Sequence, residues 1–96
     1  MTDPKRKFRL SNAFKRDLKK HHLALIGEAW TEIADCLLNA KSIPPKYLDH
    51  PLSGNWDTFR DCHVQPDLVL IYKIIQENQV EIVELHRLNS HSEIFG

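Results

Sequence analysis

The sequence predicts an α+β domain in the order β-α-α-β-β-β: an N-terminal strand and a two-helix hairpin packed on an antiparallel sheet, then a short C-terminal tail. Three observations predict it. Residues 5–10 alternate polar with apolar, residues 14–37 place apolar residues at helical spacing, and residues 56–88 hold three extended runs parted by turn signals. Ninety-six residues at 42% hydrophobic content fill one modest core, so residues 1–96 are expected to form a single domain.

From Lys5 to Leu10, Phe8 and Leu10 fall on one side and Lys7 and Arg9 on the other, as in a half-buried strand. Ser11 is placed to cap a short helix whose inner face is Phe14 and Leu18 and whose outer face carries Lys15, Arg16, Lys19 and Lys20. A second helix is expected after His21-His22, because Leu23, Ile26, Trp30, Ile33 and Leu37 make a stripe with Glu28, Glu32 and Asp35 turned away. Gly27 weakens it by up to ~1 kcal/mol relative to Ala, and Pro44-Pro45 is expected to end it for want of an N–H. After a polar loop punctuated by Pro51 and Gly54, residues 56–64 read as a strand closed by the turn Gln65-Pro66-Asp67. Leu68 to Ile75 is apolar enough for a central strand, Asn78-Gln79 suits a hairpin tip, and Val80 to Leu88 forms the last strand.

No apolar run approaches the ~20 residues that cross a bilayer, and the basic N-terminus has no apolar stretch behind it to make a secretory signal. Cys36 and Cys62 lack metal-type spacing and are expected to be reduced thiols in a cytosolic protein. The net charge of zero hides a split: residues 1–22 balance to +6 and the remainder to −6. A cationic segment of that kind is the footprint of a polyanion partner, or else an ordinary solvated surface.

The chemistry is concentrated between Asp49 and Asp67, which hold two histidines, four of the seven aspartates, Arg60 and two aromatics. On a strand at 56–64, Asp57, Phe59, Asp61 and His63 share one face and Trp56, Thr58, Arg60, Cys62 and Val64 the other. With the helices over the Trp56 face, Asp61 and His63 point away from them, His50 joins from the preceding loop, Asp67 from the turn, and His91 from beyond the last strand. Three imidazoles and a carboxylate suit RNA cleavage by its own 2′-OH, which needs a base, an acid and charge stabilisation but no metal. Imidazole, with an unperturbed pKa of ~6.5, exchanges protons at neutral pH, and a neighbouring carboxylate fixes its tautomer. Phe95 offers a stacking surface for a base. Arg60 either pairs with a carboxylate or neutralises a phosphate. Lone histidines are more often packing residues, and His21, His22 and His86 are assigned to that class. Three histidines with an aspartate could instead bind zinc, iron or manganese, although no compact metal motif such as His-Glu-x-x-His is present. A non-catalytic module that binds RNA or an antitoxin is a further alternative.

The run Asp49-His50-Pro51-Leu52, Gly54, Trp56, Arg60-Asp61, His63, Pro66-Asp67 and Leu70-Ile71-Tyr72-Lys73, with the ending Ser90-His91-Ser92-Glu93-Ile94-Phe95-Gly96, resembles the YafQ toxins of the RelE superfamily. That resemblance implies a RelE-like fold and a type II toxin: an endoribonuclease, needing no metal or other cofactor, that cuts mRNA in the ribosomal A site and halts translation. The implied partners are mRNA on the ribosome, rRNA and a DinJ-like ribbon-helix-helix antitoxin, with operator DNA bound only through that antitoxin and no membrane. It carries active-site roles to His50, His63, Asp67, His91 and Phe95, with Asp61 beside them; His91 would be the acid, His50 the base, and His63 and Asp67 would orient the phosphate. Asn89 departs from the glycine expected before the Ser-His pair, a change that bears on the entry angle of the tail.

Overall fold

A computed structural model describes residues 4–96; Asp3, counted in the N-terminal charge balance, lies outside them. The elements are β1 (Arg6–Leu10), α1 (Asn12–His21), α2 (Glu28–Leu38), β2 (His50–Pro51), β3 (Arg60–Gln65), β4 (Leu68–Glu77), β5 (Val80–Asn89) and α3 (His91–Phe95). One sheet runs in the order β1-β5-β4-β3-β2. The strands from β2 to β5 are antiparallel neighbours, whereas β1 joins the far edge parallel to β5, Phe8 opposite Val83. The helical hairpin carries the chain from β1 to β2 at the opposite edge, and β3 and β4 bring it back to β5, so the parallel pair is joined by a long connection. The expected α+β architecture is present, with β1 its one parallel member.

The sheet has two unequal faces. Beneath the helices lies the main core, where Phe14, Ile33 and Leu37 meet Cys62, Leu70, Tyr72, Val83, Leu85 and Leu88. On the opposite face Ile94 of α3 covers Val69 and Ile71, with Leu52, Trp56 and Phe59 packed alongside. Leu68 to Tyr72 are buried without interruption, as the apolar run in the middle of the sheet requires.

Four boundaries differ from expectation. The second helix starts at Glu28 rather than near Leu23: residues His22–Ile26 form a 3₁₀ turn, and Gly27, extended at φ −76°, is the N-cap whose carbonyl accepts from Thr31 N–H at 3.2 Å. A 3₁₀ turn repeats every three residues, so Leu23 and Ile26 share its outer side, 70% and 80% exposed, while Ala24 and Leu25 pack inward. The helix also ends before Pro44-Pro45. Ala40 is left-handed at φ 56° and Lys41 N–H returns to the Cys36 carbonyl at 2.9 Å, a closure that satisfies the last turn without proline. Two residues of the expected loop, His50 and Pro51, pair with β3 as an edge strand. Finally, β3 starts at Arg60, not Trp56. Gly54, at φ 65°, opens a 3₁₀ turn over Gly54–Trp56, and Phe59 N–H closes back onto the Trp56 carbonyl at 2.9 Å. The alternation expected from residue 56 is broken there. Trp56 therefore packs with Phe59 on the face away from the long helices, not beneath them.

Candidate active site

Strand register brings the polar residues together. Asp61 and His63 lie two apart on β3 and share a face, and His50 stands directly opposite Asp61 across the β2–β3 pair, so it shares that face too. His63 is opposite Val69, and Val69 is opposite Asn89, so β5 ends at the same corner. Ser90 then caps α3, its Oγ accepting from Glu93 N–H at 3.2 Å, and the short helix turns back across this face. The result sets His91 over β3: its Nε2 is 3.1 Å from Asp61 Oδ2, and His63 Nε2 is 3.6 Å from Asp61 Oδ1.

Asp61 is 1% exposed, and its Oδ1 has no hydrogen-bond partner among the described residues. The imidazoles of His63 and His91 are the carboxylate's side-chain partners among the described residues. The rings of His63 and His91 are 5.3 Å apart, and Phe95 stacks on His91 at 6.0 Å while Trp56 meets Phe95 edge-on at 5.1 Å. His50 has a different neighbour, its Nδ1 lying 2.7 Å from the Leu48 carbonyl. A carbonyl only accepts, so Nδ1 carries a proton and Nε2 of the neutral ring is left with a lone pair. Asp67 sits exposed in the two-residue turn between β3 and β4, with no ion-pair partner among the described residues.

The expected RNA-binding cations divide. Lys15, Arg16, Lys19 and Lys20 are exposed on α1, which packs along β5 and ends at His21, beside the root of α3. Arg60 points the other way. It pairs with Tyr72 on the helix side of the sheet and holds Asp49, Nη2 at 2.8 Å, where the Tyr72 hydroxyl also donates to Asp49. The Asp49 hydrogen bond holds the guanidinium above its usual range. Burial and the same carboxylate push the Tyr72 phenol strongly upward. Of the two roles expected of Arg60 the structure shows the carboxylate pair, on the sheet face opposite Asp61 and His63.

His86, expected to be packing only, has a more specific place. Ile71 is opposite Arg87 but Tyr72 is opposite Leu85, so His86 is the extra residue of a bulge. The bulge puts its ring 4.7 Å from Phe59 and 5.8 Å from Trp56. Burial pushes the imidazole below its usual pKa of 6.5, which favours the neutral ring. The sequence carries a trace of it: Val83, Leu85 and Leu88 all face the main core, yet they are spaced two and then three, leaving one residue extra between Leu85 and Leu88.

Among the described residues, Asp61, His63 and His91 also form the one three-residue group with metal-ligating atoms within 4.8 Å of one another. A model of the family described as bacterial toxin of type II toxin-antitoxin system, YafQ, matches residues 6–96. The chain belongs to the YafQ family. A putative toxin YafQ from Haemophilus influenzae is 41% identical over 87 residues, covering 86% of this chain and 85% of that one. The Escherichia coli K12 relative, named mRNA interferase toxin YafQ, is 40% identical over 58 residues, about three-fifths of either chain (60% and 59%). In the crystal structure of the E. coli DinJ-YafQ toxin-antitoxin complex, a chain 30% identical superposes with a TM-score of 0.76, covering 96% of this chain and 99% of that chain. A copper-bound mutant toxin from Helicobacter pylori, 33% identical, has a TM-score of 0.78 over 93% of this chain and 98% of that one. The fold is thus that of the YafQ toxins.

Proposed function

We propose that this YafQ-family chain is a cytoplasmic mRNA endoribonuclease, acting in the ribosomal A site, that inhibits translation and is neutralised by a DinJ-like antitoxin. One observation carries the reading: two imidazoles on one face of the sheet are oriented through different ring nitrogens, His50 by a neutral carbonyl and His91 by a carboxylate. His50 gives its Nδ1 proton to the Leu48 carbonyl, which leaves Nε2 free to take the 2′-OH proton. His91 donates through Nε2 to the Asp61 carboxylate, which orients the ring and leaves Nδ1 as the nitrogen from which a proton passes to the departing 5′-oxygen. In the forward step the 2′-oxygen bonds to phosphorus and the bond from phosphorus to the 5′-oxygen breaks, leaving a 2′,3′-cyclic phosphate. His63 adds positive charge beside the phosphate when protonated, and Phe95, 41% exposed, offers a face to a base. Asp67 at the adjoining turn is the remaining candidate to orient His63 or the phosphate. The exposed cations of α1 hold rRNA backbone.

Toxin purified free of antitoxin and added to programmed ribosomes should cut mRNA. His50→Ala and His91→Ala should each lower the single-turnover rate about 10²–10⁴-fold. Unchanged rates in both variants would leave a binding module rather than an enzyme.

A metal-dependent hydrolase is the second reading, favoured by the Asp61, His63 and His91 group, by the unpartnered Oδ1 of Asp61, and by the copper-bound H. pylori relative. Those three side chains would be the ligands, and a divalent ion there would polarise a phosphate oxygen or activate water. Tetrahedral ligands bonded at ~2.1 Å stand ~3.4 Å apart, and the two imidazole nitrogens already lie 3.1 and 3.6 Å from the Asp61 oxygens. Cleavage that persists in EDTA supports the first reading; cleavage lost in EDTA and restored by one added metal supports the second.

A further inference from the structure

The chain carries a buried polar network that neither imidazole chemistry nor packing uses. Asp17 of α1 is 6% exposed yet accepts from Arg87 Nε at 2.8 Å, Leu88 N–H at 2.9 Å and Asn89 Nδ2 at 3.2 Å. Asn89, also 6% exposed, uses its other end as well: Oδ1 accepts from Ser90 N–H at 2.9 Å and lies 3.1 Å from His21 Nε2.

These contacts determine their own polarity. Ser90 N–H only donates, so Asn89 must turn its oxygen towards it, and its amide nitrogen then meets the acceptor-only carboxylate of Asp17. With Oδ1 so oriented, His21 must donate through Nε2. Every group in the chain from Asp17 through Asn89 to Ser90 and His21 is matched, and the amide has one orientation. Ser90 caps α3, and the next residue is His91. Two residues of α1 therefore grip the residue from which the tail departs.

We propose that Asn89, clamped by Asp17 and His21, is the positioning residue for His91. The clamp fixes the backbone at the strand-to-helix junction, so it sets where the imidazole stands over Asp61 and ties that placement to the helix bearing Lys15, Arg16, Lys19 and Lys20. This inference rests on His91 being the acid of the proposed cleavage. It assigns no chemical step to Asn89 itself.

The test uses the full-length toxin freed of antitoxin, with three variants: Asn89→Ala, His21→Ala and His21→Gln. Gln keeps an N–H to offer Asn89 Oδ1, whereas Ala does not. On programmed ribosomes, Asn89→Ala and His21→Ala should each lower kcat by about tenfold to a hundredfold, as a displacement near 1 Å does, with KM held within about twofold. His21→Gln should recover most of that loss. The His91 imidazole resonances, followed by NMR in the same proteins without ribosomes, should move in both Ala variants and return in His21→Gln. If Asn89→Ala does not fold, the His21 pair decides the matter. Folded variants with unaltered kcat and unaltered His91 resonances overturn the proposal, and so does a loss that His21→Gln fails to recover. A wild-type protein that cleaves nothing sinks the nuclease reading alone, because the resonances still report on the clamp.

Discussion

At the scale of single residues, the part an imidazole can play is set by the partner its ring meets rather than by residue type. His50 and His91 are equivalent in a sequence; a carbonyl beside one and a carboxylate beside the other separate them. His86 is a third case. Burial lowers its pKa in the folded chain, so below the ordinary value of 6.5 the unfolded chain takes up a proton that the fold resists. Its contribution is thus fully present above about pH 6.5 and is lost as pH falls through the depressed folded value. His86→Gln removes this titration, and the difference in urea-unfolding free energy between wild type and variant should shrink from pH 7 to pH 5. A difference independent of pH would place the imidazole in water. The histidines at positions 50, 63 and 91 were legible as a group because loop, strand and tail positions share one sheet edge. The phosphate role for Arg60 was not decidable, because Asp49 is eleven residues away and only the fold sets the pair together.

At the scale of elements, helical spacing located both helices but overextended the second. Leu23 and Ile26 fit the stripe in sequence, yet the 3₁₀ turn before Gly27 rotates them into solvent. Two substitutions make the distinction measurable. Ile33, fully buried beneath the hairpin, should cost about 2–5 kcal/mol when cut to Ala. Leu23→Ser and Ile26→Ser should each change unfolding free energy by no more than about 0.5 kcal/mol. A large loss at Leu23 or Ile26 in chemical denaturation would mean that a helix does cover them. Strand β3 shows the same limit. Two-residue alternation is a property of regular strands, and one turn at Gly54 was enough to send Trp56 to the opposite face, where it supports Phe95. Starting the strand at Arg60 leaves the Asp61 and His63 pairing intact, which is why the site survived the misplaced boundary.

At the scale of the whole molecule, zero net charge conceals a dipolar surface. Arg6 and Arg9 are spent on Glu81 and Glu77, so the N-terminal excess reaches solvent mainly through α1. Each phosphate contact contributes roughly 0.7–0.9 to the slope of log affinity against log salt. Replacing Lys15, Arg16, Lys19 and Lys20 by Gln should therefore raise KM on ribosomes and flatten that slope by up to about 3.6. An unchanged slope would place the ribosome on another surface. The strand order has a different consequence. The last strand made, β5, lies between β1 and β4 and is also the floor on which α1 rests. Until residues 80–89 are available, the first strand lacks the strand it pairs with and the first helix lacks its main floor, and α3 has not been made. The corner in which His91 meets Asp61 consequently cannot form until the ribosome has passed residue 91.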